Sequence, residues 1–161
     1  MITAVTYFYS PANIIVFGIL SLLGWAAIIT VLVRPILGKI PIKLGILLSS
    51  FLYFLTHEMA DGSLSLLTIH LYNLPSSWYD SHFLFPLGLP HGSFASADYF
   101  PLLPWIFAYW LGYFCWQMIG EELREKYFFR QLSGFAFMGR HSLLIYLLHQ
   151  PIIFAVLSFV F

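Results

Sequence analysis

Four stretches of the chain are apolar over nearly the length that a membrane-spanning helix needs, about 20 residues. The first carries no formal charge and is followed by Arg34 and Pro35. Because proline has no amide N–H to continue the helical hydrogen bonds, we predict that the first helix closes there. The predicted transmembrane helices cover residues 13–33, 43–59, 101–119 and 142–161.

The positive charges divide the connections between these helices into two classes. Three of the seven Lys and Arg residues lie between positions 34 and 43, and the other four lie between 120 and 140. The positive-inside rule places such connections in the cytoplasm. The sequence therefore predicts cytoplasmic loops at 34–42 and 120–141 and an outer loop at 60–100, with both termini on the outer side of the inner membrane.

Two connections carry patterns of their own. Residues 63–74 place apolar side chains at near-helical spacing, which favours an interfacial or re-entrant helix in the outer loop. In the cytoplasmic stretch 121–132, Glu122 and Lys126 stand four residues apart, as in an amphipathic surface helix. The expected fold class is all-α: one polytopic membrane domain over residues 1–161 with about four transmembrane helices and interfacial helices on both sides.

Composition supports a membrane protein and excludes several other classes. Apolar residues make up 60% of the chain and charged residues 9%, whereas soluble domains have about 25% charged residues. The net charge is zero and no basic stripe is present, so nucleic acid is not an expected partner and the lipid bilayer is. The single cysteine, Cys115, excludes an internal disulfide.

His149 is the clearest ionisable residue inside a predicted span, and such residues are costly in hydrocarbon without a partner. Ser142 and Tyr146 share its helical face, seven and three residues earlier. Pro151 lacks an amide N–H, so the carbonyl of Leu147 loses its usual partner close to His149. Two interpretations remain open: a histidine that hydrogen-bonds between helices for packing, and a functional histidine.

Arg140, His141 and Ser142 stand at the predicted start of the fourth helix. Unpaired backbone N–H groups and the helix dipole favour an anion at such a position. The three residues are candidates to hold the phosphates of a nucleotide-like cofactor. The alternative is a charged flank that anchors the helix to lipid headgroups.

On the outer side, His91 and Asp98 precede the third helix. Asp98 is a candidate to cap that helix, or to receive a hydroxyl or amine substrate and orient a base. The nearby HEMAD sequence, which begins at His57, lacks the second histidine of the HExxH zinc motif, so no metal site is predicted.

Small residues recur at four-residue spacing in two of the predicted helices. Gly45 and Ser49 form one such pair, and Ala108 and Gly112 form the other. Because small side chains let helix backbones approach closely, both pairs predict close helix contacts.

Three segments resemble a known family. They are GRHSLLIYLLHQP at 139–151, DYFPLLPW at 98–105 and the "FGIL" helix IIVFGILSLLGWAAII at 14–29, in matching order. Together they resemble bacterial membrane proteins grouped with the catalytic domain of heparan-alpha-glucosaminide N-acetyltransferase. The resemblance implies transfer of an acetyl or other acyl group from cytoplasmic acyl-CoA to a sugar amine or hydroxyl on the outer side.

The resemblance also implies roles for individual residues. His149 would lie in a transmembrane tunnel and act with Asp98 in catalysis, with Asp98 facing the acceptor. The implied contacts to acetyl-CoA are Arg140, His141, Ser142 and Tyr146. The implied contacts to the sugar or glycan acceptor are His91, Trp105 and Gln150.

Two departures from the family pattern shape the functional hypothesis. Family members have further helices upstream, with an arginine/aspartate pair and a histidine, and this sequence has Ser21 where histidine often follows "FGIL". We therefore expect the C-terminal part of such an enzyme, complemented by a second copy or by a chain that supplies the upstream helices. The alternative is a non-catalytic membrane subunit or truncated remnant with a structural role.

Overall fold

The computed structural model describes residues 15–66, 69–127 and 133–160. Within these ranges, the helices are α1 (Ile19–Leu37), α2 (Ile42–Thr56), α3 (Leu102–Met118), α4 (Glu121–Tyr127), α5 (Ser133–Arg140) and α6 (Ser142–Val160). Strands β1 (Ser63–Leu66) and β2 (Ile69–Asn73) and short 3-10 turns at Met59–Asp61, Ser76–Asp80 and Phe85–Leu87 lie between α2 and α3. The chain divides into two compact units, Met1–Met118 and Ile119–Phe161.

Helix α1 starts later and ends later than the first predicted span. Positions 13 and 14 of that span lie outside the described residues, and the helix begins at Ile19. It continues through Pro35 to Leu37, so the prediction that Pro35 closes it is wrong. The ring of proline fits helical φ and removes only one amide. The α-helical pattern ends where the Lys39 and Ile40 N–H groups donate to carbonyls three residues earlier, Ile36 and Leu37, at 3.0 and 3.1 Å.

Helix α1 is long and apolar enough to cross a membrane, and among the described residues it is the helix that meets both criteria. Helices α2 and α3 are shorter, with 15 and 17 residues. Their observed bounds fall inside the second and third predicted spans, apart from the first residue of α2.

Helices α2 and α3 form the most extensive helix pairing in the first unit. Gly45 of α2 is buried against Phe114 of α3, whose side chain is 1% exposed. A Cβ atom at Gly45 would lie 2.5 Å from the Phe114 ring, so only glycine permits this approach. Ser49, one turn later, is also buried, and the predicted contact at Gly45 and Ser49 is confirmed. Gly112 of the second predicted pair is exposed, and no described residue lies close to it, so the predicted contact is not seen at that position.

A buried hydrogen-bonded chain joins α1 to α3. The Trp110 indole Nε1–H donates to the Thr30 hydroxyl at 2.9 Å. That hydroxyl in turn donates to the Ala26 carbonyl at 2.6 Å. Each polar group therefore has a partner in an apolar setting, where an unpaired group costs about 1–3 kcal/mol.

In the segment 63–74 of the predicted outer loop, residues 63–66 and 69–73 form two paired strands, so the helix predicted there is wrong. Strands β1 and β2 pair antiparallel, with Leu64 opposite Tyr72. The hydroxyls of Ser63 and Ser65 both donate to the carboxylate of Glu58, which follows α2. Serine and leucine alternate in β1, which is the period of a strand. In a strand Ser63 and Ser65 lie on the same side, where both hydroxyls reach Glu58, and these bonds favour a strand over a helix.

The second unit contains α4, α5 and α6. Helix α4 (Glu121–Tyr127) confirms a short helix in the predicted cytoplasmic segment, of which residues 128–132 lie outside the described residues. Helix α5, which the sequence pattern did not predict, packs against α6. Helix α6 begins at Ser142, as predicted.

Candidate functional site

In the first unit, the chain just before α1 meets the chain just before α3. The Phe100 N–H donates to the Phe17 carbonyl at 3.1 Å. The Ser96 hydroxyl accepts from the Val16 N–H at 2.9 Å and donates to the Val16 carbonyl at 3.1 Å. The start of the "FGIL" helix and the DYFPLLPW segment, far apart in sequence, are therefore neighbours.

Asp98 lies at the start of α1. Its Oδ2 would lie 2.8 Å from a Cβ atom on Gly18, which is the N-cap residue of α1. The φ angle of Gly18 is −78°, so glycine is required here for space and not for its backbone conformation. A carboxylate at this position faces the positive end of a 19-residue helix.

The hypothesis that Asp98 caps the third helix is wrong. Helix α3 begins at Leu102, so its N-cap position falls on Pro101, and Leu103 still has extended backbone angles. Asp98 lies beside α1 instead. The other hypothesis, that the Asp98 carboxylate receives a hydroxyl or amine of the substrate, stays a prediction.

A cavity of about 330 Å³ opens next to this corner. His82 and His91 line it and stack directly on one another, with ring centroids 4.2 Å apart and planes 29° apart. The other lining residues are Val16, Phe85, Ser93, Phe94 and Ala95. His91 was a candidate from the sequence; His82 was not, because SHFLF carries no motif and the pairing of the two rings depends on the fold.

The hydrogen bonds of His91 define which ring nitrogen carries its proton. The Ser93 backbone N–H lies 3.3 Å from Nδ1 and the Ser93 hydroxyl lies 2.9 Å from it. A backbone N–H only donates, so Nδ1 accepts, and the neutral imidazole carries its proton on Nε2. Neutral His91 is therefore a hydrogen-bond donor at Nε2.

Aromatic rings form the wall of the cavity. Phe85 stacks on Phe94 at 5.2 Å, and Tyr99 meets Phe94 edge-on at 4.9 Å. The Tyr99 hydroxyl donates to the Phe85 carbonyl. Burial, and to a smaller extent the nearby Tyr79, raises the pKa of Tyr99 well above its usual range. The phenol thus keeps the proton that this hydrogen bond needs.

Trp105, predicted to contact the acceptor, belongs to a separate aromatic cluster. Its ring meets Phe100 at 5.3 Å and Tyr53 of α2 at 5.9 Å, both edge-on. Trp105 is half-buried and does not line the cavity of His82 and His91. Nor do the described residues bring together three His, Cys, Asp or Glu side chains that could hold a metal ion.

In the second unit, Arg140, His141 and Ser142 lie at the junction of α5 and α6 and are all exposed. The His141 Nδ1–H donates to the Phe137 carbonyl at 2.9 Å, because a carbonyl only accepts. A Cβ atom on Gly139 would meet open space. The junction is therefore accessible, with a guanidinium, a hydroxyl and the first amides of α6 close in sequence.

His149 lies two turns into α6 and half-buried. Its Nδ1 bonds the Tyr146 carbonyl, and the two rings lie 5.3 Å apart. Since the carbonyl only accepts, the neutral imidazole carries its proton on Nδ1 and has its acceptor lone pair on Nε2. His149 can therefore accept a proton at Nε2, unlike neutral His91. The side chain of Gln150, another predicted acceptor contact, lies outside the described part.

Comparison with known proteins identifies the family. The family described as heparan-alpha-glucosaminide N-acetyltransferase, catalytic, matches residues 1–151 of the chain. The chain belongs to this family. No curated protein and no solved structure matches it. The resemblance predicted from the three sequence segments is confirmed, and membership indicates an acetyltransferase-like function with acetyl-CoA as the general donor of the family.

Proposed function

We propose that the chain is the C-terminal portion of an integral membrane acyltransferase. It moves an acetyl or other acyl group from cytoplasmic acyl-CoA to an amine or hydroxyl of a sugar on the outer face of the inner membrane. The observation that carries this proposal is the family match over residues 1–151.

Exposed apolar side chains support a place in the bilayer. In α1, Val31 is 70% exposed and Leu32 is 73% exposed, which is unfavourable in water for a continuous helix face. Helix α2 repeats this pattern, with Leu47 67% exposed. Further exposed residues on these helices are Leu23, Trp25, Ile28, Ile36, Leu44, Leu48, Phe51 and Phe54. Lipid chains cover such apolar faces without the unfavourable free energy of exposing them to water.

The α5–α6 junction is the proposed donor site. Arg140 is exposed and precedes the first amides of α6 by two residues, and a guanidinium beside the amides of a helix start suits the phosphates of an acyl-CoA. His141 and Ser142 add two polar side chains at the same exposed turn. Tyr146 follows Ser142 by one turn on the same helical face and leads towards His149. When bound, acyl-CoA supplies the activated thioester.

His149 and Asp98 have separate roles in the proposed transfer. Nε2 of His149 takes the proton that the acceptor amine or hydroxyl loses as it attacks the acyl carbonyl. The C–S bond breaks, and the proton passes to the departing thiolate. Asp98 orients the acceptor through a hydrogen bond to its carboxylate. A second copy, or a chain that carries the upstream helices, completes the tunnel.

Calorimetric titration of the full chain in detergent with acetyl-CoA tests the donor site. We expect saturable binding that Arg140→Ala weakens about tenfold or more. Arg34→Ala is the matched control, because Arg34 is an exposed arginine in the last turn of α1. Absence of binding to a folded chain, shown by its helical circular dichroism, would overturn the proposal and favour a non-catalytic membrane subunit.

Acetyl transfer to glucosamine, measured with labelled acetyl-CoA, tests the base. His149→Gln is expected to lower the transfer rate about 100-fold or more, while acetyl-CoA affinity stays unchanged. The matched control is His70→Gln, at an exposed position of β2. Equal rates for wild type and His149→Gln would contradict the assignment. Binding without transfer in wild type would support an incomplete enzyme, and adding the upstream helices in trans should then restore the rate.

A further inference from the structure

The cavity lined by the stacked His82 and His91 combines polar groups with aromatic surface. Two imidazoles and the Ser93 hydroxyl supply polar groups, and Phe85 and Phe94 supply flat apolar surface. No Asp, Glu, Lys or Arg side chain is among the described residues that line it. The cavity therefore suits a ligand ring that has hydrogen-bonding groups on its edge and an apolar face.

The volume of the cavity limits the size of the ligand. Ligand pockets in proteins span about 300–1,000 Å³, and a cavity of about 330 Å³ stands at the lower limit. A single ring of six heavy atoms with its substituents fits such a volume. A pyranose has the matching chemistry, because its C–H face packs on aromatic rings and its hydroxyls bond at the edge.

The walls of the cavity continue to Asp98. Val16 lines the cavity and lies two residues before Gly18, and Ala95 lines it three residues before Asp98. The Ser96 hydroxyl ties the two segments together through both backbone groups of Val16. A ligand in the cavity therefore lies close to the corner where the Asp98 carboxylate meets α1.

We infer that this cavity binds one pyranose ring of the acceptor, with His82 and His91 as specificity-determining residues. The inference rests on the proposed function and names where its acceptor is held. Neutral His91 donates from Nε2 to a ring hydroxyl oxygen, and this tautomer makes it a positioning group instead of a base. The His82 ring stacks on His91 and adds a second imidazole to the polar side of the cavity.

Binding of D-glucose and D-glucosamine to the full chain, measured by saturation-transfer NMR and calorimetry in detergent, tests this inference. We expect His91→Ala to weaken binding about tenfold. His82→Phe keeps a flat ring in the stack and removes its nitrogens, so it should weaken binding as well without disturbing the fold. His70→Ala is the control, at an exposed position of β2, and should leave affinity unchanged.

Several results would overturn the inference. They are no saturable binding of either sugar to the wild-type chain, affinities in His82→Phe and His91→Ala equal to wild type, or equal binding of the open-chain polyol sorbitol. Thermal unfolding of each variant shows whether a loss of binding reflects a loss of fold.

The same samples separate this inference from the proposed function. Acetyl transfer with an acceptor KM unchanged in both histidine variants would overturn the cavity assignment and leave the acyltransferase standing. Sugar binding that depends on His82 and His91, in a chain that does not bind acetyl-CoA, would overturn the proposed function and leave the sugar site. Loss of sugar affinity with acetyl-CoA affinity intact supports both.

Discussion

Gly18 lets the carboxylate of Asp98 reach the first turn of α1. No side chain other than hydrogen fits, since a Cβ atom would approach both Asp98 Oδ2 and the Ile15 side chain within 3 Å. The sequence indicated Asp98 as a candidate but not its neighbour, because 80 positions separate Gly18 from Asp98 and only the fold joins them. His82 was not predicted for the same reason, since only the fold brings it against His91. The proton positions on His91 and His149 also depend on hydrogen bonds that no sequence motif indicates.

Replacing Gly18 with alanine should displace the Asp98 carboxylate by several tenths of an ångström or more. A misplacement of about 1 Å in a reacting group costs about 100-fold in rate, so we expect acetyl transfer to fall about tenfold or more. Acetyl-CoA affinity should not change, because Gly18 is not among the residues proposed to contact acetyl-CoA. Gly24→Ala, in the same helix and with open space around it, should retain the wild-type rate. Equal rates for the two variants would contradict this role of Gly18.

Among the secondary-structure elements, the long apolar stretches predicted helices correctly. The short stretches that mix polar and apolar residues did not predict the β-strands or α5. The observed α2, α3 and α6 fall close to their predicted spans because an apolar stretch of 15 residues or more has few alternatives to a helix, even where α3 and α6 each include a proline. The hairpin was missed because residues 63–74 fit both a helical and an alternating period, and the deciding contacts come from Glu58. Pro35 does not mark the end of α1, because a proline in the last turn removes only one amide N–H and its ring fits the helical φ angle.

The α2–α3 contact makes a prediction about stability. Gly45→Ala forces a methyl group into the Phe114 ring, which is buried and cannot retreat. Overpacking of this kind costs about 1–3 kcal/mol, so the thermal unfolding midpoint in detergent should fall by several degrees. Gly112→Ala, on the exposed side of α3, adds helix propensity without a clash and should hold or raise the midpoint. A midpoint for Gly45→Ala at or above that of Gly112→Ala would show that the helices do not pack in this way.

For the whole molecule, the distribution of charge predicts an orientation that packing does not encode. The described part of the connection between α2 and α3 contains no Lys or Arg, whereas Arg34 and Lys39 border the α1–α2 turn. An orientation with the basic turns in the cytoplasm follows from the positive-inside rule. The proposed orientation would put the cavity of His82 and His91 on the outer side, where the acceptor is expected, and the α5–α6 junction on the cytoplasmic side, where acyl-CoA is expected.

Labelling of single cysteines in intact cells tests that orientation. Cys115→Ser removes the natural cysteine, and Gly92→Cys and Gly120→Cys each add one at an exposed glycine with open space beside it. A membrane-impermeant maleimide should react with Gly92→Cys directly and with Gly120→Cys only after the membrane is permeabilised. The Cys115→Ser chain alone should stay unlabelled. If Gly120→Cys reacts from outside while Gly92→Cys is protected, the orientation is reversed and cytoplasmic acyl-CoA has no access to the α5–α6 junction. If both react from outside, the segment between them does not cross the bilayer. That result would contradict the proposed transfer of an acyl group across the membrane.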